Sequence, residues 1–106
     1  MLRPFFVRHN RVLKKIHPED VICLSTEGNY TRIYLTDKSF YMVRSTLSAA
    51  LKKLPEDIFI KIHRSFAVSV YHIDSVHRDY LVVSKENLPI GKQYYRSLVE
   101  KLNVIE

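Results

Sequence analysis

Residues 58–70 read Ile-Phe-Ile-Lys-Ile-His-Arg-Ser-Phe-Ala-Val-Ser-Val. Ile58, Ile60, Ile62, Phe66, Val68 and Val70 alternate with other residues, the pattern of a half-buried strand. Arg64 interrupts it at a position where the next apolar residue is due. An unpaired guanidinium buried among branched aliphatic side chains is too costly to keep. The stretch is therefore predicted to break or bulge near His63–Ser65. That turns His63 and Arg64 outward at a strand end and leaves Ile58–Ile62 and Phe66–Val70 packed on either side. A competing reading pairs Arg64 internally with a carboxylate such as Asp57 or Asp74.

Outward from this stretch, short β-like runs recur between turn residues. Phe5–Arg8 and Arg11–Ile16 flank His9-Asn10 as an opening hairpin. Val21–Thr26 and Tyr30–Leu35 flank Glu27-Gly28-Asn29, and Phe40–Arg44 follows a turn at residues 36–39. In Ser45–Pro55 the period changes: Leu47, Ala50, Leu51 and Leu54 stand at i, i+3, i+4 and i+7, with Ser45 or Thr46 as a cap. Strand character returns at Phe59–His63, Ile73–His77 and Tyr80–Ser84. A turn at Lys85-Glu86-Asn87 then leads to Leu88–Ile90, where Pro89 favours an edge or a strand start. Tyr95, Leu98, Val99 and Leu102 predict a closing helix entered at Gly91. Consecutive β runs joined by short turns imply antiparallel pairing, so the fold class is mainly β with one or two short helices.

The chain has 106 residues, 46% of them hydrophobic and 26% charged, which predicts one compact domain over residues 1–106 with a real core. No apolar run approaches the roughly 20 residues that span a bilayer. The N-terminal stretch lacks the pattern of a signal peptide, and a cytoplasmic location is expected by elimination. Cys23 is the single cysteine and lies in the apolar run Val21–Leu24, so it reads as a small buried hydrophobe. Seventeen Lys and Arg against eleven acids give a net charge of +6, a balance that suits a polyanion or simply a soluble basic surface.

Catalysis finds no support in the motifs. His9, His17, His63, His72 and His77 show no zinc-ligand spacing, and no cysteine pair accompanies them. There is no Gly-rich phosphate loop and no nucleophile elbow around Ser25, Ser65 or Ser69, so no metal and no cofactor is expected. Three polar groups remain. Glu27–Arg32 forms a hairpin tip bearing Asn29, Tyr30 and Arg32, His63-Arg64-Ser65 forms the second, and Gly91–Arg96, with Lys92, Gln93 and Arg96, opens the last helix. Each by itself also reads as an ordinary turn, strand end or solvated helix start. Together they supply the side chains that read duplex DNA: Arg or Lys for guanine, Asn or Gln for adenine, and further cations for phosphates.

The ordered segments DVICLSTEGNYTRIYL, YMVRSTLSAALKKLP, FIKIHRSFAVSVYHID and LPIGKQYYRSLVEKL resemble the LytTR (LytR/AlgR-type) DNA-binding domains of bacterial transcriptional regulators. The resemblance runs from about Phe5 to Val104, and its most distinctive piece is His63-Arg64-Ser65 with its flanking aromatic. It implies an elongated stack of small antiparallel sheets with short helices, and loops inserted into the DNA major groove. The matching positions nominate Asn29, Tyr30, His63, Arg64, Lys92 and Gln93, supported by Arg96. Two departures stand out: Ser69 where the family often has Asn, and Gly91 where it often has Ser. Such domains usually follow a phosphorylatable receiver domain, for which the residues before Phe5 leave no room. An excised response-regulator domain and a stand-alone regulator both fit.

The expected function is sequence-specific binding of double-stranded DNA, without enzymatic activity, by a transcription regulator of the two-component type. His63 and Arg64 are expected at base edges with Asn29, Lys92 and Gln93 nearby, and Lys61, Arg32 and Arg96 on phosphates. The resemblance suggests two copies on paired half-sites, a homodimer on DNA; neither a membrane nor a small-molecule substrate is indicated. Two alternatives come from other classes. One is a protein partner bound through Tyr30, Tyr94 and Tyr95; the other is single-stranded nucleic acid or RNA stacked on those rings.

Overall fold

The computed structural model describes residues 2–106, in which ten strands and two α-helices follow one another. The strands are β1 (Phe5–His9), β2 (Val12–Ile16), β3 (Val21–Glu27), β4 (Tyr30–Leu35), β5 (Phe40–Val43), β6 (Phe59–His63), β7 (Phe66–Ser69), β8 (Ile73–Val76), β9 (Tyr80–Val83) and β10 (Glu86–Pro89). Helix α1 (Leu47–Leu51) separates β5 from β6, and α2 (Lys92–Glu100) follows β10. All pairing is antiparallel. β1 and β2 form a two-stranded sheet, β10-β9-β8 a three-stranded one, and β5-β4-β3-β7-β6 a central sheet of five. The mainly β class expected from the sequence is what the chain adopts, in an elongated body of 47 × 31 × 24 Å.

The break at Arg64 is a hairpin. β6 and β7 fold back on each other in register Phe59↔Ser69 and Ile60↔Val68, with a bulge between Lys61 and His63 and the turn at Arg64–Ser65. Arg64 is exposed and pairs with neither Asp57 nor Asp74; the ion pairs among the described residues are Arg32–Glu27 and Arg96–Glu100. The simple alternation is only half of the pattern. Ile60, Ile62 and Val68 enter one core, while the intervening Phe59 and Ala67 are buried in the other. Ile58 lies before the strand and packs on the side of Phe59. A strand pair at the centre of three layers has no solvent face, so both parities become apolar.

One layer is the β1–β2 hairpin with α1, whose Val7, Ile16, Leu47 and Leu54 meet Leu24 and Ile33 of the central sheet. Thr46 starts α1, its Oγ1 accepting the Ala49 amide at 3.1 Å. The other layer is the three-stranded sheet with α2, whose Leu81, Val83, Ile90 and Leu98 cover Cys23, Ile60 and Ile62. Two turns sit one residue away from their sequence-based positions. Asn10 and Arg11 take φ of 51° and 64°, which moves Arg11 from strand to turn. Ser84 and Lys85 take 46° and 69°, which releases Glu86 and Asn87 into β10 opposite Val83 and Val82. Paired positive φ values match a two-residue turn to strand twist. Pro89 does end an edge strand, where its missing N–H costs no ladder bond. No helix is long and apolar enough to cross a membrane among the described residues.

Candidate nucleic-acid interface

Strand register brings distant loops to one end of the central sheet. Ser25 of β3 stands between Arg32 of β4 and Phe66 of β7, and the Thr26 amide donates to the Ser65 carbonyl at 2.9 Å. The Gly28–Asn29 turn and the Arg64–Ser65 turn are therefore neighbours. Thr31 pairs with Val43, so β5 also runs out at this end, delivering Arg44. The start of α2 joins them because the Gly91 amide donates to the Ile62 carbonyl at 2.8 Å, beside His63. The turn between β8 and β9 is tied in next to it, through the Ile90 amide on the Asp79 carbonyl at 2.9 Å.

The opposite end collects acids. The Thr36 amide bonds the Asp20 carbonyl at 2.9 Å and His72 bonds the Glu19 carbonyl at 2.9 Å, which places Glu19, Asp20 and the Asp37 turn there. Glu56 and Asp57 precede β6 on that same end. The hydroxyl and amide of Ser39 hold the Asp37 carboxyl below its usual range.

At the first end lies an open cleft of about 430 Å³ whose lining includes Asn29, Tyr30, Arg44, Ser48, Lys61 and Arg64, with no carboxylate among its lining residues. Lys61 Nζ donates to Ser48 Oγ at 3.3 Å. Gly28 supplies the positive φ of 58° that lets the β3–β4 turn present Asn29 and Tyr30. His63 is half-buried at the end of β6, its Nδ1 accepting the Ser65 amide at 3.1 Å and its ring tilted against Phe66 at 5.6 Å. Lys92 and Gln93 are exposed on the first turn of α2.

Two nominated cations stand apart from this cleft. Arg32 points to the other face of the sheet, where its guanidinium lies over Phe40 at 4.4 Å and pairs with Glu27 at 3.3 Å. Its Nε is buried without a partner. Arg96 is on an exposed face of α2, paired with Glu100 at 3.5 Å. Conversely, Arg44 and Ser48 line the cleft although sequence reasoning passed over them. Arg44 ends a strand that looked unremarkable, and no local signal tells that β5 stops beside Lys61. The two family departures also find physical reasons. Ser69 is fully buried, and its Oγ accepts the Tyr71 amide at 3.3 Å, capping the short 3-10 turn Val70–His72. At Gly91 an added Cβ would meet Tyr94 Cδ2 at 2.8 Å.

No group of three His, Cys, Asp or Glu side chains gathers as a metal site among the described residues. What the cleft offers is cations, an amide and hydroxyls with no carboxylate in its lining, the chemistry of a polyanion-binding β domain. The chain belongs to the LytTR family: the LytTr DNA-binding domain matches residues 11–103. It is 30% identical over 95 residues to the sensory transduction protein LytT of Bacillus subtilis strain 168, covering 84% of this chain and 39% of that protein. It is 42% identical over 57 residues to the sensory transduction protein LytR of Staphylococcus epidermidis, over 54% of this chain and 22% of the relative. The chain thus spans about two fifths of the length of LytT. Its fold is similar to that of a solved LytTr DNA-binding domain from Bacillus cereus, with a TM-score of 0.80, 21% identity, and coverage of 95% and 97% of the two chains.

Proposed function

We propose that residues 1–106 act as the DNA-binding output domain of a bacterial transcription regulator, reading double-stranded DNA in the major groove through loops. The observation that carries this reading is the convergence of Asn29, Tyr30, Lys61 and Arg64 on one cleft whose lining holds no carboxylate. Arg64 is exposed in the β6–β7 turn, and its guanidinium fork suits the O6 and N7 of guanine. Asn29 offers an amide suited to adenine, and Lys92 and Gln93 extend the same edge from α2. His63 shapes the turn through Nδ1 and keeps Nε2–H as a donor. Membership of the LytTR family supports the assignment, and the domain works without catalysis of its own. Two copies bind neighbouring half-sites.

The tyrosine alternatives draw less support. Tyr30 lines the cleft, Tyr94 is half-buried against Gly91, and Tyr95 is half-buried beneath Arg78 at 5.4 Å. Two of the three rings are thus packed against the protein and offer only part of a face for stacking.

The test is selection of sites from a random duplex library at near-physiological salt, with the parent beside a His63→Ala/Arg64→Ala variant. The parent is expected to enrich a defined motif that the variant blurs, since one bidentate Arg–guanine pair discriminates by about 1–3 kcal/mol. Failure of the parent to enrich any motif would sink the proposal.

A further inference from the structure

Resting on the duplex-DNA reading above, we infer that the cleft beside α1 seats one backbone phosphodiester, and that Arg44, with Lys61 held by Ser48, is the cation pair that binds it. Three cationic side chains, Arg44, Lys61 and Arg64, line this concavity, and no carboxylate does. The two ion pairs of the described residues use up Arg32 and Arg96 elsewhere, whereas Arg44 and Lys61 have no acidic partner. Like charges converging on a small space repel, and an anion between them relieves that repulsion.

The corner that carries Arg44 is firmly built. Val43 pairs with Thr31, and the fully buried Thr31 donates its hydroxyl to the Ser45 carbonyl at 2.8 Å. Arg44 is therefore clamped on both sides by one β4 residue. From the far wall, Lys61 is steered by Ser48 Oγ at 3.3 Å, and the Ser48 hydroxyl proton remains available to an incoming oxygen. A volume of about 430 Å³ exceeds a free phosphate ion and admits a sugar-phosphate segment. Asn29 and Arg64 line the same cleft, so a strand anchored here passes its bases to the reading loops. Phosphate contacts of this kind set register and carry no sequence information.

The experiment measures binding of the selected duplex across a series of chloride concentrations for the parent, Arg44→Gln, Arg44→Lys, Arg32→Gln and Arg64→Ala. Losing one phosphate contact flattens the slope of log K against log salt by roughly 0.9. Arg44→Gln is expected to show part of that loss, Lys61 still facing the phosphate, with its selected motif unchanged, while Arg44→Lys and Arg32→Gln keep the parent slope. An unchanged slope in Arg44→Gln, with Arg64→Ala still blurring the motif, would overturn the seat and leave the DNA reading intact. Absence of salt-dependent duplex binding by the parent would remove both. A last arm replaces chloride by inorganic phosphate at equal ionic strength. Extra competition by phosphate that weakens in Arg44→Gln is the expected result, since ion and strand contend for one seat, and equal competition in both proteins would overturn the inference.

Discussion

His63 Nδ1 accepts the Ser65 amide at 3.1 Å, so one histidine nitrogen is committed to closing the hairpin on which Arg64 stands. Its neighbour in space, Gly91, owes its identity to sterics, because its φ of −69° suits any residue. The Tyr94 ring fills the space of a Cβ. Gly91→Ser is expected to lose about 1–2 kcal/mol by overpacking, read as a lower urea midpoint with an unchanged m-value. Cys23 shows burial acting on a single proton. Desolvation, with a smaller push from Glu86, raises its thiol from the ordinary 9.0 to about 11. The folded thiol holds its proton where the unfolded one ionises, so this contribution to stability is full below pH 9 and is lost as pH rises toward 11. At pH 8 the folded chain is expected to resist a thiol-specific reagent that labels the urea-unfolded chain at once. Rapid labelling of the folded form would contradict the buried placement.

At the scale of elements, the β6–β7 hairpin joins the two sides of the molecule, and α2 is held against β6 by Leu98, which is fully buried. Helix α2 has polar residues on most of its faces, so its position depends on that side chain and on the Gly91 amide bond to Ile62. Leu98→Ala is expected to cost about 2–5 kcal/mol in denaturant unfolding, the range for a buried leucine that leaves a cavity. Because α2 also carries Lys92 and Gln93, the same variant should bind duplex more weakly than its folded fraction accounts for. A binding loss fully accounted for by the folded fraction would mean that α2 contributes nothing to the interface.

For the whole molecule, the central sheet is shared by two cores, with Leu24 facing one and Cys23 facing the other on the same strand. Neither core can dissolve while the sheet survives, so unfolding should be one cooperative transition. Leu24→Ala and Leu98→Ala, one in each core, are expected to shift the same transition, with far-UV dichroism and tyrosine emission coinciding. The chain has no tryptophan, so its seven tyrosines report throughout. Separate transitions in either variant would show the layers to be independent. The gathering of Arg44, Lys61 and Arg64 on one carboxylate-free cleft belongs to this scale too, and it presents that cleft to a polyanion.

Local pattern carried much of this protein. Alternation and turn chemistry were enough to read nearly every strand, because a side chain's parity in a strand and a turn's φ requirement are set by immediate neighbours. Arg64 was legible as outward for the same kind of reason: no local arrangement could bury it. The ordered segments around Glu27-Gly28-Asn29 and His63-Arg64-Ser65 were also enough to place the family. Which strands share a sheet was not legible, since β3 lies beside β7 only through hydrogen bonds between residues some forty positions apart. For that reason Arg32 looked like a cation of the Asn29 turn, although the pleat sends it to the opposite face beside Glu27 and Phe40. Arg44 looked like the plain end of a strand, although register sets it across a cleft from Lys61. The sequence by itself determined the elements, the class and the residue types available for binding. Only the tertiary structure decided which of those residues meet, because long-range pairing, and not local preference, chooses the end and the face on which each side chain emerges.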